Sequence, residues 1–170
     1  MTSSYYEKIG TEVRCIDDEI PFDIPDTWEW VRLENCCSKE IRRGKSPKYI
    51  DESGILVFAQ KCNTKHNGID IDLALYLDES ILGRYPADEY MQDGDIVVNS
   101  TGTGTLGRVG FYRTSDNNIG LPIVPDSHVT VIRGVSSTHA FYLYAFMKAN
   151  QRELEKKGEG STNQKELKPL

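Results

Sequence analysis

The sequence predicts an α+β domain, built as a mainly antiparallel, strongly twisted β-sheet with flanking helices. Three observations carry that expectation. Short apolar or alternating runs recur between residues 54 and 133, each bounded by Gly, Pro, Asn or Asp. Ser137 to Lys157 runs without Pro or Gly from an N-cap candidate to Gly158 and reads as the best helix in the chain. The length of 170 residues, with 38% hydrophobic and 27% charged residues, is that of an ordinary globular chain able to bury a core.

Taken in order, residues 1–23 read as an acidic, extended leader, interrupted by Pro21 and followed by Pro25. Residues 24–170 read as a single domain. WEWVRL, 28–33, alternates and predicts a short strand with Trp28 and Trp30 as packing anchors. IRRGKSPKYI is a loop by its Gly44 and Pro47. GILVFAQ, 54–60, reads as a buried strand, QKCNTKHNG as the polar turn after it, and IDLALYL as another strand. GDIVV and GRVGFY flank a glycine-rich loop, and HVTVIR, 128–133, alternates cleanly. The helix is expected over about 138–157, with Ser137 or Thr138 as N-cap, Lys156 and Lys157 in the last turn and Gly158 beyond it. Its aromatic half, Phe141, Tyr142, Tyr144 and Phe146, is expected to dock on the sheet, leaving QRELEKK solvated.

Several function classes are disfavoured by composition. No apolar run approaches the ~18 residues of a membrane span, and no apolar stretch of signal-peptide type follows Met1, so the expected compartment is the cytoplasm. Cys15, Cys36, Cys37 and Cys62, with His66, His128 and His139, lack the paired spacing of a structural zinc site, so reduced thiols are expected. The net charge of -6 is carried entirely by residues 1–29, where eight acids face Lys8 and Arg14. Beyond them acids and bases balance, 18 to 18, and Lys39, Arg42, Arg43, Lys45 and Lys48 stand near Glu40 alone. That cluster is either a polyanion contact or a solvated loop.

The stretch DIVVNSTGTGTLGRVGFY, 95–112, places Gly102, Gly104 and Gly107 in a G-x-G-x-x-G pattern. A dinucleotide site needs a helix to open at the third glycine, but RVGFY is β-like. A kinase loop needs a lysine on the next strand, H-R-D and D-F-G; the next lysine is Lys148 and neither motif occurs. What remains is a strand-loop-strand whose glycines and hydroxyls suit close approach to a nucleic-acid surface, or a tight structural hairpin.

IPDTWEWVRL (24–33), RGKSP (43–47), LVFAQKCN (56–63), DGDIVVNSTGTGTLGRVGFY (93–112) and EGSTNQKELKPL (159–170) together resemble, in order and spacing, the target recognition domains of type I restriction-modification specificity subunits. The resemblance implies a non-catalytic reader of double-stranded DNA, taking one half-site of a bipartite target and truncated before the spacer helix. It implies methyltransferase (M) and restriction (R) subunits as partners, with no cofactor in this chain; S-adenosylmethionine, ATP and Mg belong to those partners. No membrane partner is expected. By this resemblance Arg42, Arg43, Lys45, Ser46 and Lys48 anchor phosphates. Gln60, Lys61, Asn63, Lys65 and His66 read base edges or position the strand. Ser100, Thr101, Thr103, Thr105 and Arg108 contact the duplex. Ser161, Thr162, Asn163 and Gln164 either bind DNA or turn the chain. Two other classes compete: a module that docks a methyltransferase subunit through Trp28, Trp30 and the Tyr-rich helix, and a kinase-like nucleotide-binding fragment.

Overall fold

The computed structural model describes residues 4–161 and 164–166. It divides into two compact units, residues 1–32 and 33–170.

In the first unit, β1 (Tyr6–Ile9) and β2 (Glu12–Cys15) form an antiparallel hairpin in which Tyr6 faces Cys15 and Glu7 faces Arg14. The leader is therefore not extended throughout. Gly10, at φ +61°, supplies the left-handed residue of the turn. Cross-strand charge holds the pairing: Arg14 Nη2 lies 2.8 Å from Glu7 Oε2, and Arg32 Nε lies 2.6 Å from Glu7 Oε1. These two guanidinium groups hold the Glu7 carboxyl down at about 2. Residues 28–32 are not a strand; Trp28 is exposed, and Trp30 packs edge-on against Phe22 at 5.1 Å. The hydrogen bond from Trp28 N–H to the Pro25 carbonyl turns the backbone there, which is incompatible with an extended ladder.

In the second unit the elements run in order as β3 (Arg42–Arg43), β4 (Tyr49–Ile50), β5 (Leu56–Phe58), β6 (Leu75–Leu77), β7 (Ile96–Asn99), β8 (Val109–Phe111), β9 (Ile123–Pro125), β10 (Val129–Ile132), α1 (Ser137–Ala149), α2 (Gln151–Lys156), β11 (Glu159–Ser161) and β12 (Gln164–Glu166). The architecture is α+β, as the sequence predicts. Two four-stranded sheets, ordered β3-β10-β7-β8 and β4-β6-β5-β9, replace the single sheet expected. Among the described residues the named strands pair antiparallel except β5 with β9, where Leu56 lies opposite Ile123. The basic segment expected to be a loop contributes β3 and β4, because Arg43 finds Thr130 and Tyr49 finds Leu77 across the ladders.

The sheets bury near-continuous apolar runs. Leu56, Val57, Phe58, Ile96, Val97, Val109, Val124, Val129 and Ile132 are each at most 1% exposed. Such strands are covered on both faces. Asp95, wholly buried, is matched by Arg133 through paired bonds of 2.7 and 2.8 Å, and accepts Gln92 N–H besides. A buried carboxylate is tolerated on those terms.

The predicted helix is two. Ser136, one residue before the expected cap, accepts His139 N–H and starts α1; the helix breaks at Asn150, whose amide bonds back to the Phe146 carbonyl. The docking face also differs. Ala140, Leu143 and Met147 are buried, whereas Phe141, Tyr142 and Phe146 are exposed. The 3.6-residue period explains this: 140, 143 and 147 share one stripe that 141, 142 and 146 cannot join. Tyr144 follows the expectation, its ring tilted on Phe111 at 5.1 Å, and the exposed Phe141 meets the same Phe111 edge-on at 6.2 Å.

Gly110 has no room for a side chain: a Cβ there would lie 2.5 Å from Asn63 Oδ1 and 2.9 Å from Ile69 Cδ1. Gly110→Ala should destabilise by about 1–3 kcal/mol through overpacking, a fall of several degrees in Tm. Gly83→Ala, where nothing lies within 4 Å and φ is not positive, should leave Tm unchanged or slightly raised. Thermal unfolding of the two variants side by side checks the contrast.

Candidate nucleic-acid interface

The glycine loop leaves β7 at Asn99 and returns to β8 at Arg108. Asn99 N–H bonds the Arg108 carbonyl at 3.0 Å and Gly107 N–H bonds the Asn99 carbonyl at 2.8 Å, so the ladder continues into the loop neck. Gly102, Gly104 and Gly107 take φ of +98°, +77° and +74°. They serve different ends. A Cβ on Gly102 would overlap Thr105 Oγ1, and one on Gly107 would lie 2.7 Å from the Glu155 backbone nitrogen, whereas Gly104 meets nothing within 4 Å. Gly102 and Gly107 thus allow internal packing, and Gly104 presents an open face.

Beneath the loop lies a knot of amides. Asn63, 1% exposed, donates its Nδ2 to Asn99 Oδ1 at 3.2 Å and to the Arg108 carbonyl at 3.0 Å. Asn99 donates in turn to the Gln60 carbonyl at 3.1 Å. The Arg108 guanidinium reaches back to the Asn63 carbonyl at 2.8 Å and to the Gly104 carbonyl at 3.0 Å. The 3-10 turn Gln60–Cys62, which continues β5, is what brings Asn63 under the loop.

The predicted residues now divide. Asn63 and Ser100, each 1% exposed, and Thr101, at 8%, are buried, so they position the surface and do not lie on it. Ser100 pairs with Thr130 Oγ1 at 2.6 Å, and Thr101 with His128 Nδ1 at 2.8 Å. Thr105 bonds the Thr101 carbonyl at 3.0 Å. Lys61, Lys65, His66 and Thr103 are exposed, and Gln60 and Arg108 are partly so. Lys65 and Arg108, with residues 102–106 of the loop and Gln151 and Glu155 of α2, line a concavity of about 480 Å³. Sequence alone does not single out Gln151 or Glu155, because a polar helix end looks solvated. Ser161 and Gln164 are backbone partners in the β11–β12 hairpin; Thr162 and Asn163 lie outside the described residues.

The basic cluster does not stand near Glu40 alone. The turn Ala87–Glu89 carries Glu89, 2% exposed, into its midst, with Arg42 Nη2 at 2.5 Å and Lys39 and Lys45 Nζ at 3.5 Å each. A buried carboxylate needs such cations around it. Ser46 is exposed, Arg43 is half-buried, and Lys48 sits 2.6 Å from Asp78 Oδ2.

A scan of known protein families and a search of curated proteins each give no match. Solved structures do match. The HsdS subunit from Thermoanaerobacter tengcongensis aligns over 88% of this chain with a TM-score of 0.58 at 20% identity. A chain from a structure addressing complex assembly and conformational transition of the type I R-M system aligns over 80%, again at TM-score 0.58 and 20% identity. This chain spans 35% and 31% of those two chains, about a third of each. It therefore shares their fold over one segment of their length.

Two outcomes follow from the site geometry. Asn63→Ala strips the Asn99 amide and the Arg108 carbonyl of a buried partner and should cost about 1–3 kcal/mol, while Lys61→Ala at an exposed site should change stability little; chemical denaturation distinguishes them. Asp78 is pushed down to about 2, first by the Lys48 ammonium and then by Ser80. A depressed carboxyl favours the fold above its unfolded pKa, and the contribution fades as pH falls through the folded value. In Lys48→Ala the Asp78 midpoint, followed by NMR titration, should rise toward the ordinary aspartate value of about 3.9.

Proposed function

We propose that this chain is a target recognition domain of a type I specificity subunit, reading one half-site of a bipartite double-stranded DNA target without catalysing any step. The observation that carries the reading is the fold shared with HsdS over most of this chain and about a third of that one. The five motifs in register along the sequence support it independently. Residues 24–170 constitute the recognition domain, and residues 1–23 belong to the segment leading into it. M and R subunits are the partners, and S-adenosylmethionine, ATP and Mg act in them. The work is placed in the cytoplasm, where such a complex meets DNA; among the described residues no helix is long and apolar enough to cross a membrane.

The recognition surface is the glycine loop with the exposed turn after β5. Lys61, Lys65 and His66 meet the duplex from one side; Thr103 and the open face of Gly104 approach it closely, because a residue without a Cβ lets backbone N–H groups near phosphates and base edges. Arg108 is the residue best placed to donate to a base. Gln60, Asn63, Ser100, Thr101 and Thr105 hold that surface in shape. Arg42, Arg43, Lys45, Ser46 and Lys48 add phosphate contacts, Arg42 and Lys45 while sharing their charge with Glu89 and Lys48 while sharing its charge with Asp78. By the resemblance of EGSTNQKELKPL, Ser161, Thr162, Asn163 and Gln164 add DNA contacts.

A second reading, a docking module for a methyltransferase subunit, is favoured by one observation: Phe141 and Phe146 of α1 are 57% and 40% exposed. The ionic-strength dependence of binding separates the two. The logarithm of the DNA binding constant should fall linearly with log salt, and removal of Lys61 and Lys65 together should lower the slope by about 0.9 for each phosphate they cease to neutralise. Titrations at several salt concentrations, on the chain alone and assembled with its M subunits, check this. Binding to DNA that ignores salt, or none in the assembly, would leave the docking reading.

A further inference from the structure

The concavity beside the glycine loop holds an arrangement that a general DNA-binding surface does not need. Its wall carries Lys65, Arg108 and one anion, Glu155, and of these Arg108 and Glu155 are each held by hydrogen bonds within the protein. We propose that Arg108 and Glu155 are specificity-determining residues that together read the major-groove edge of one G·C base pair, Arg108 donating to the guanine and Glu155 accepting from the cytosine amino group. The inference rests on the DNA-recognition reading above.

A carboxylate facing a polyanion is unfavourable unless it meets a hydrogen-bond donor. Glu155 is nevertheless aimed. Its backbone nitrogen is within 2.7 Å of where a Cβ on Gly107 would stand, so α2 is seated directly on the glycine loop. Gln151 Nε2 donates to Glu155 Oε1 at 2.8 Å. The Gln151 side-chain oxygen is itself held by Val109 N–H at 3.1 Å and Lys148 Nζ at 3.0 Å, which roots the carboxylate on β8. An exposed glutamate with no task would not require a three-membered support. Across the concavity, Arg108 is fixed by the Asn63 and Gly104 carbonyls, two of the partners for its five N–H donors. Both groups are thus set in direction before any ligand arrives, which is what discrimination at a base edge needs.

The pattern selects the base pair. In the major groove guanine offers two adjacent acceptors, O6 and N7, which suit a guanidinium fork, and its cytosine partner offers the N4 amino donor, which suits a carboxylate. Adenine with thymine offers acceptor, donor, acceptor, which would leave the Arg108 fork with a single acceptor beside it.

The test is selection of binders from a randomised duplex pool by the chain assembled with its M subunits, for the parent and for E155Q. Glu155→Gln is nearly isosteric and keeps the oxygen that Gln151 holds. The parent should enrich a motif containing a G·C position, and E155Q should relax or shift that one position toward A·T, since glutamine pairs with adenine, with the other positions retained. A second measurement leaves the protein unaltered: 7-deazaguanine at that position removes the N7 acceptor and should weaken parent binding about tenfold or more. An E155Q motif identical to the parent's, a changed position that is A·T in the parent, or undiminished binding to the 7-deazaguanine duplex each overturns the assignment while DNA recognition stands. A parent that enriches no motif overturns both.

Discussion

The buried contact between Asn63 and Asn99 is the constraint on which the rest of the candidate surface depends. One amide closes the turn after β5 and the other ends β7, so their 3.2 Å bond ties together strands that belong to two different sheets. Everything exposed at the glycine loop hangs from that point: Arg108 through the Asn63 carbonyl, the loop neck through Asn99, Gln60 through its own carbonyl. Buried amides of this kind admit no sliding, because each oxygen and N–H parted from its partner would be stranded without water. Rigidity under a loop made of glycine and threonine is therefore supplied from below.

Electrostatics is organised by the same economy of placement. The chain's acids beyond residue 29 equal its bases in number, yet the fold sorts them. Glu89 and Asp88 gather Lys39, Arg42 and Lys45, and Asp78 takes Lys48. What remains outward near the glycine loop is Lys61, together with Lys65, Arg108 and Glu155, which line the concavity. Lys148, drawn against β8, has its pKa held below the usual lysine range by burial and by the neighbouring Arg108 charge.

Much of the fold was legible in the sequence because buried strands advertise themselves. LVF, IVVN and VTVI are apolar runs that could not be left in water, and each is a strand. Harder to read was anything decided by a distant partner. Arg42–Arg43 becomes a strand only because β10 accepts it, and the leader folds back because Glu7 meets Arg14 across a turn. Aromatic content was a poor guide to the docking face of α1, where the stripe of Ala140, Leu143 and Met147 outweighs larger rings set at the wrong angle. At the candidate site, residue type indicated the place and not the role: Asn63, Ser100 and Thr101 have the chemistry of contacts and the burial of supports. Glu155 and Gln151 were invisible because only the seat on Gly107 distinguishes them from a solvated helix end.

The parallel pairing of Leu56 with Ile123 has a meaning for how the molecule comes into being. β4, β5 and β6 can associate as soon as they exist, but the far edge of β5 waits for a strand encoded some sixty residues downstream. At a synthesis rate of roughly 5–20 residues per second, that leaves a row of apolar residues and unpaired backbone groups bare for several seconds. The other sheet waits longer still, since β10 is one of its two inner strands and α1 and α2 cover it last. Long-range closure of this sort slows folding and favours capture by chaperones or by neighbouring nascent chains. On the ribosome the glycine loop is made before its wall of Gln151 and Glu155, so a nascent chain that has reached only β8 carries the loop without that wall.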